Sequence, residues 1–183
     1  MKFFLLFAVI HRRKNEMLVI MDMDFTLIDT TEPEKLRQRG RLDEASSRLE
    51  DTTVYPGVEK MLSDLRSAGH EILVLTNSRG QDARNLIEIH ELSIEEAYYY
   101  KDLGVRPKPH SGGHTTLLRR NGVIGSMAVS VGDKSSVREA AHGAGIRFIA
   151  AMWGAKNRTV ANKADAVANQ PEEVYEIIER WSN

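Results

Sequence analysis

A chain of 183 residues is long enough for one domain with a sizeable core, and 42% hydrophobic against 28% charged residues reads as an ordinary soluble globular protein. Its 25 Lys and Arg against 26 Asp and Glu leave a formal net charge of -1, without the basic excess of a dedicated nucleic-acid binder. The lack of cysteine excludes disulfides, thiolate zinc sites and a cysteine nucleophile.

Phe3 to Ile10 is an apolar run followed by His11, Arg12, Arg13 and Lys14. The run is far shorter than the ~20 residues that span a bilayer. Basic residues also stand where a signal peptide would place its small-residue cleavage site. Residues 1–16 are therefore expected to be an N-terminal extension, laid on the domain surface or lying outside the fold. The cytoplasm is the default location.

From Met17 the pattern alternates. Met17 to Met21 fits a buried strand. Thr30 to Val54 then breaks the rhythm with few apolar residues; Leu42, Ala45 and Leu49 sit at helical spacing and suit a short surface helix, while a solvated loop or hairpin is the plainer form for the basic stretch. Lys35, Arg37, Arg39 and Arg41 put a base at every second position there, a candidate positive lip for an anionic substrate. Val58 to Ala68 is a helix opened by Pro56-Gly57 and closed by Gly69. Glu71 to Leu75 is a strand, Gln81 to His90 a helix, Ala97 to Tyr100 a short strand and Ser111 to Arg120 a helix. Met127 to Val131 and Arg147 to Ala151 are strands flanking a helix over Ser135 to Ala144. Pro171 to Trp181 closes the chain as a helix with proline at its start.

Strands alternating with helices predict an α/β fold, with a doubly wound, mostly parallel, Rossmann-like sheet in a three-layer α/β/α arrangement. Residues 17–183 read as a single domain with a small insertion at about 30–54. Right-handed crossovers place all strand C-termini on one edge, where such sheets bind ligands.

The polar clusters fall at that edge. Asp22-Met23-Asp24-Phe25-Thr26 follows the first strand, Thr76-Asn77-Ser78 the second, Lys101 and Arg106-Pro107-Lys108-Pro109 the third, and Gly132-Asp133-Lys134 the fourth. Their chemistry suits phosphoryl transfer. A carboxylate such as Asp22 can attack phosphorus and split one hard hydrolysis into two steps through an aspartyl phosphate. The phosphate monoester is itself anionic, so attack needs cations nearby. Magnesium held by carboxylates and a backbone carbonyl would supply part of that charge, and Lys108 the rest. Thr76 and neighbouring N–H groups can bind the non-bridging oxygens. Asp24 can protonate the leaving oxygen and then take a proton from the incoming water.

The motifs DMDFT at 22–26, LTN at 75–77, RPKP at 106–109 and VGD at 131–133 resemble those of the haloacid dehalogenase superfamily. Pro56-Gly57-Val58 and the closing pattern GIRFIAAMWG … KADAVANQPEEV look like members close to phosphoglycolate phosphatases. The resemblance implies Asp22 as nucleophile and metal ligand, and Asp24 as acid/base lending its carbonyl to magnesium. It further implies Thr76, with Asn77 beside it, and Lys108 at the phosphoryl group, and Asp133 completing the metal site. Hydrolytic dehalogenases of this superfamily lack an acid at the position of Asp24 and P-type ATPases carry Lys there, so Asp24 points to phosphatases and phosphomutases. Mutases usually need a substantial cap, for which this chain has no room.

Two positions depart from the family pattern. Its second acid, four or five residues after the Asp of the fourth motif, is replaced by Val137 and Arg138; Glu139 would point to roughly the opposite side of a helix, leaving Ser135 or Ser136 as candidates to hold a metal-bound water. Phe25 stands where Gly is commonest, either lining the pocket or packing at a turn.

The expected partner is a phosphorylated substrate, small or macromolecular, admitted to an open, nearly capless site that a second copy of the chain could cover. The Tyr98–Tyr100 run near the mouth reads as a partly buried strand or a substrate contact. Neither membrane nor nucleic acid is expected. The competing reading is a non-catalytic phosphate-binding or regulatory protein on the same fold. A response-regulator receiver is disfavoured because no Asp ends the second or third strand ahead of Thr76, and the glycine-rich fingerprints of dinucleotide and P-loop sites are missing.

Overall fold

A computed structural model describes residues 15–182, so the expected extension falls almost wholly, and the Phe3–Ile10 run wholly, outside the described residues. In chain order the elements are β1 (Leu18–Met21), β2 (Ile28–Asp29), α1 (Thr31–Gln38), α2 (Leu42–Ser46), β3 (Thr53–Val54), α3 (Val58–Ser67), β4 (Glu71–Thr76) and α4 (Gly80–Ile89). There follow β5 (Glu96–Tyr99), α5 (Gly112–Arg120), β6 (Ala128–Gly132), α6 (Ser135–Gly143), β7 (Arg147–Ala151), β8 (Ala166–Ala168) and α7 (Glu172–Ser182). Among the described residues no helix is long and apolar enough to cross a membrane.

Six strands form one parallel sheet in the order β5-β4-β1-β6-β7-β8. All four residues of β1 are buried, as expected for a strand covered on both faces. The period-2 alternation of its side chains sorts them between two cores. Val19 and Met21 join Ile72 and Val74 of β4 against α3, α4 and α7; Leu18 and Ile20 join Leu73 and Leu75 against α5 and α6. Helix α3 shows why the amphipathic pattern was readable: Val58, Met61, Leu62 and Leu65 line one face, all buried. At its start Gly57 takes φ +88°, and a Cβ there would lie 2.5 Å from the Glu172 carboxylate.

The strand β8 and the short antiparallel β2–β3 pair were not foreseen. Two and three residues are too few to show a period. The larger difference lies between them. The Thr30–Val54 segment holds two helices, a 3-10 turn over Leu49–Asp51 and β3, which pairs with β2 just ahead of it; α2 falls on the helical spacing of Leu42 and Ala45, whereas α1 was not expected. The helices form because this piece is packed on the domain. Pro33, Ala45 and Leu49 are buried, and Leu49 belongs to the main core. Polar contacts fasten it to α4: Ser46 Oγ donates to Asp82 at 2.7 Å, Arg79 pairs with Asp43 at 2.8 Å, and Thr52 meets His90 at 2.7 Å.

Candidate active site

The register of the sheet gathers the polar clusters. Met21 pairs with Val74 on one side and Val131 on the other, so Asp22, Thr76 and Asp133 emerge at the same edge. The central strand β1 is the topological switch point, where such sheets open a crevice. A cleft of about 450 Å³ lies there.

Asp22 is fixed by its own backbone. Its N–H donates to Val131 O at 2.9 Å, and its Oδ1 accepts from Met23 N–H at 2.9 Å. The same oxygen pairs with Lys108 Nζ at 2.7 Å, and that ammonium also donates to Leu75 O at 2.8 Å. Lys108 is held in turn by Asn77, whose side chain accepts from Lys108 N–H at 3.0 Å and donates to Lys108 O at 3.1 Å. The Asn77 amide, expected on the substrate, is thus committed to the loop that carries Lys108, although Asn77 still lines the cleft.

Asp24 lies at a tight turn in which Met23 O accepts from the N–H groups of Thr26, Leu27 and Ile28. The turn requires φ +59° at Phe25, a left-handed conformation that costs a side-chain-bearing residue roughly 1–2 kcal/mol. Phe25 offsets this by burial to 2% exposure, with Lys134 Nζ 5.0 Å and Lys156 Nζ 3.8 Å from its ring centroid. It packs at the turn and does not line the cleft. Gly154 must be glycine beside it, since a Cβ would sit 1.8 Å from Phe25 O.

Both Asp24 oxygens are engaged. Oδ1 accepts from Arg37 Nη1 at 2.8 Å; Oδ2 accepts from Ser78 Oγ at 2.5 Å, with Thr76 Oγ1 at 3.5 Å. Burial alone would raise this carboxyl, but the Arg37 guanidinium and the Ser78 hydroxyl outweigh it and hold the group below its usual range. Thr76 is fully buried behind the cleft, where its Oγ1 accepts from Ser78 N–H at 3.0 Å.

Asp133 is the least satisfied group of the set. Both its carboxylate oxygens are buried without a hydrogen-bond partner. Burial and the charge of Asp22 push it up to about 7. A divalent cation suits such a pair, because it would neutralise two adjacent carboxylates and satisfy the orphaned oxygens. Among the described residues no three acidic or histidine side chains converge on one point. The donor set would be the carboxylates of Asp22 and Asp133 with the Asp24 carbonyl, leaving other positions to water, as magnesium tolerates.

The position of the family's second acid is apolar for a packing reason: a Cβ on Gly132 would meet Val137 Cγ1 at 2.8 Å, so Val137 fills the space beneath the strand end. Arg138 turns away to donate to Asn162 O at 2.6 Å. Ser136 lines the main cleft, whereas Ser135 lines a smaller hollow shared with Asp133 and Lys134. Deeper, His114 is buried, meets Ser130 Oγ at 3.0 Å, and is pushed down to about 3 by burial and by Lys108.

The four alternating bases do not form a shared positive lip, the sharper of the two readings of that stretch. On α1 and its flank Lys35 pairs with Glu32 and Arg41 with Glu44, and only Arg37 reaches the cleft. The insertion contributes Glu34, Arg37 and Leu42 to the wall, so the site is less open than anticipated: Asp22 and Asp24 are only 6% and 8% exposed in a single copy of the chain. Of the tyrosine run, Tyr99 lines the cleft, while Tyr98 packs towards α5 under the Arg120 guanidinium. Arg37 was named only as one of the four bases of the candidate lip, and Ser78 and Asp82 were not singled out as site residues. Ser78 had a signal in its place directly after Thr76-Asn77; Asp82 had none beyond its charge.

Comparison with known proteins bears on the family and the fold. The profile described as haloacid dehalogenase-like hydrolase matches residues 34–151, a range that includes Thr76, Lys108 and Asp133. A phosphoglycolate phosphatase of Pseudomonas savastanoi pv. phaseolicola is 29% identical over 112 residues, and one of Pseudomonas syringae pv. tomato 28% identical over 112 residues. Each match covers 60% of this chain and only 40% of the relative. Among solved structures, a haloacid dehalogenase family hydrolase from Deinococcus radiodurans, with bound phosphate and sodium, superposes with a TM-score of 0.74 at 17% identity, covering 92% of this chain and 97% of that one. A haloacid dehalogenase-like protein of unknown function from Agrobacterium tumefaciens gives 0.75 at 20% identity, covering 92% and 100%. These likenesses establish the α/β fold.

Proposed function

Since the chain belongs to the haloacid dehalogenase-like hydrolase family, we propose that it is a magnesium-dependent phosphomonoester hydrolase working through an aspartyl phosphate on Asp22. The observation that carries the reading is the Lys108–Asp22 ion pair of 2.7 Å, set at the same sheet edge as the two unpartnered oxygens of Asp133. That edge offers a nucleophile, a fixed cation and carboxylate oxygens that could hold a second one.

In the first half of the reaction Asp22 attacks phosphorus while Asp24 gives a proton to the departing oxygen. In the second half water attacks the same phosphorus and Asp24 takes its proton. Lys108 offsets the phosphoryl charge, and Asn77 keeps Lys108 in place. Asp22, Asp133 and the Asp24 carbonyl would hold magnesium, which when bound supplies charge neutralisation for the anionic phosphoryl group. The cleft volume of about 450 Å³ suits a small molecule better than a macromolecule. The name of the Pseudomonas relatives makes small phosphorylated acids the first substrates to try.

The test is release of phosphate from a panel of phosphomonoesters with and without magnesium. Turnover should need the metal, and Asp22→Asn should reduce it to background. No turnover by the purified wild type across the panel would sink the reading. Val137, in place of the second acid, favours one other reading, a non-catalytic phosphate-binding protein on this fold. Calorimetry with magnesium and beryllium fluoride on a chain that fails to turn over would establish that alternative.

A further inference from the structure

We propose that Arg37, supplied by the insertion, is the positioning residue for Asp24, so that docking of the insertion is transmitted to the second half of the reaction. The inference rests on the phosphohydrolase reading above. It concerns how the acid/base is held, not whether it exists.

The geometry is a relay of contacts across three elements. Asp24 Oδ2 is held from the core side by Ser78 Oγ. Its Oδ1 is held from the insertion side by Arg37 Nη1 at 2.8 Å. With donors on both oxygens, the carboxylate plane is held at two ends. Remove Arg37 and only the Oδ2 end remains, on Ser78 and more distantly Thr76, about which the group can swing. Arg37 is itself placed from behind. Its Nη2 lies 3.6 Å from Asp82 without closing a hydrogen bond, and Asp82 is a buried residue of α4 that accepts from Ser46 Oγ of α2. The insertion therefore meets α4 and Asp24 through the same guanidinium. An arginine left 13% exposed among acids from three elements, Asp24, Asp82 and Glu34, is poorly explained as a surface charge.

In the hydrolytic half, water oxygen bonds to phosphorus, the bond from phosphorus to the Asp22 carboxylate breaks, and the proton of the water passes to Asp24. Inorganic phosphate leaves and the Asp22 carboxylate is restored. The step needs Asp24 aimed at the water, and general base catalysis of this kind contributes about 10²–10⁴-fold. Formation of the aspartyl phosphate from p-nitrophenyl phosphate is much less demanding, because nitrophenolate leaves without a proton. Loss of Arg37 should therefore slow the second half and spare the first.

The experiment is stopped-flow release of nitrophenolate with magnesium present, on wild type, Arg37→Met, Arg37→Lys and Asp82→Asn. For Arg37→Met the expected result is a burst of one nitrophenolate per active site, followed by a steady rate lowered about 10²-fold, with KM lowered alongside it and kcat/KM kept. Arg37→Lys should recover part of the steady rate, since one cation still reaches Oδ1. Asp82→Asn should show a weaker form of the same burst, and it carries the test if Arg37→Met does not fold. A raised KM without a burst would make Arg37 a substrate contact and overturn the proposal. An equal slowing of burst and steady state, or no change in either variant, would also overturn it. A wild type that releases no nitrophenolate would instead remove the phosphohydrolase reading itself.

Discussion

Asp22 and Arg37 both line the cleft, yet they are held in place by different means. Asp22 hangs from a buried parallel strand, and the hydrogen bond from its own N–H to Val131 O continues the sheet. Arg37 rides on an eight-residue helix whose hold on the domain is a few buried side chains and a handful of polar contacts. The sheet wall inherits its precision from main-chain register, so it opens only when the core does. The insertion wall rests on side-chain hydrogen bonds worth about 1 kcal/mol each and on an exposed ion pair worth less. Local opening should therefore begin at the insertion. In the proposed mechanism the nucleophile sits at a strand end, and the residue proposed to position Asp24 sits on the looser piece.

The comparison can be broken most forcefully at Lys108. Lys108→Met leaves Asp22 and Asp133 buried near each other without their fixed cation. Breaking a buried pair from one side costs about 3 kcal/mol. The metal-free variant should unfold at clearly lower denaturant, with magnesium restoring part of the loss; equal stability in urea titration would show that the sheet wall tolerates its charges unpaired.

Next in size is the pH dependence of metal binding. Asp133 sits at about 7 in the fold, raised from its ordinary carboxylate range. The cation needs the ionised form, so magnesium affinity should be flat above pH 7 and fall towards tenfold per unit below it, about 1.4 kcal/mol per unit. The sign for the metal-free fold is the reverse. The folded state keeps the proton that the unfolded chain has already released, so stability declines as pH rises from about 4 to 7. Calorimetric titration across pH 5–8 checks the first, and Asp133→Asn should abolish the slope along with most of the affinity.

The smallest effect tests the insertion. Ser46→Ala removes the hydroxyl on buried Asp82 and should cost about 1 kcal/mol. Hydrogen exchange should speed up in residues 30–54 and leave β1, β4 and β6 unchanged. Equal speeding in the sheet would mean that the insertion and the core form one cooperative unit.

How much of this was legible without a structure follows the same division. β1, β4, β6 and β7 and the helices between them were readable, because a strand covered on both faces must be a short apolar run and a flanking helix must carry an apolar stripe. The edge was readable from that alternation, and with it Asp22, Asp24, Thr76, Lys108 and Asp133. The insertion was legible only at Leu42 and Ala45, whose helical spacing falls on α2; α1 has little apolar periodicity of its own and owes its order to tertiary contacts. Its four alternating bases looked like one charged lip, but winding them onto a helix sends Lys35 and Arg41 to local partners and Arg37 inwards.

By itself, then, the sequence determined the doubly wound sheet and the set of polar groups at its edge, since hydrophobic period and the alternation of strands with helices are local properties of the chain. Only the tertiary structure decided how those groups are held: Asn77 on the Lys108 loop, Val137 under Gly132 in place of an acid, and Arg37 on Asp24. Each of these joins segments distant in sequence or closes a packing gap, and such contacts exist only once the whole core has formed.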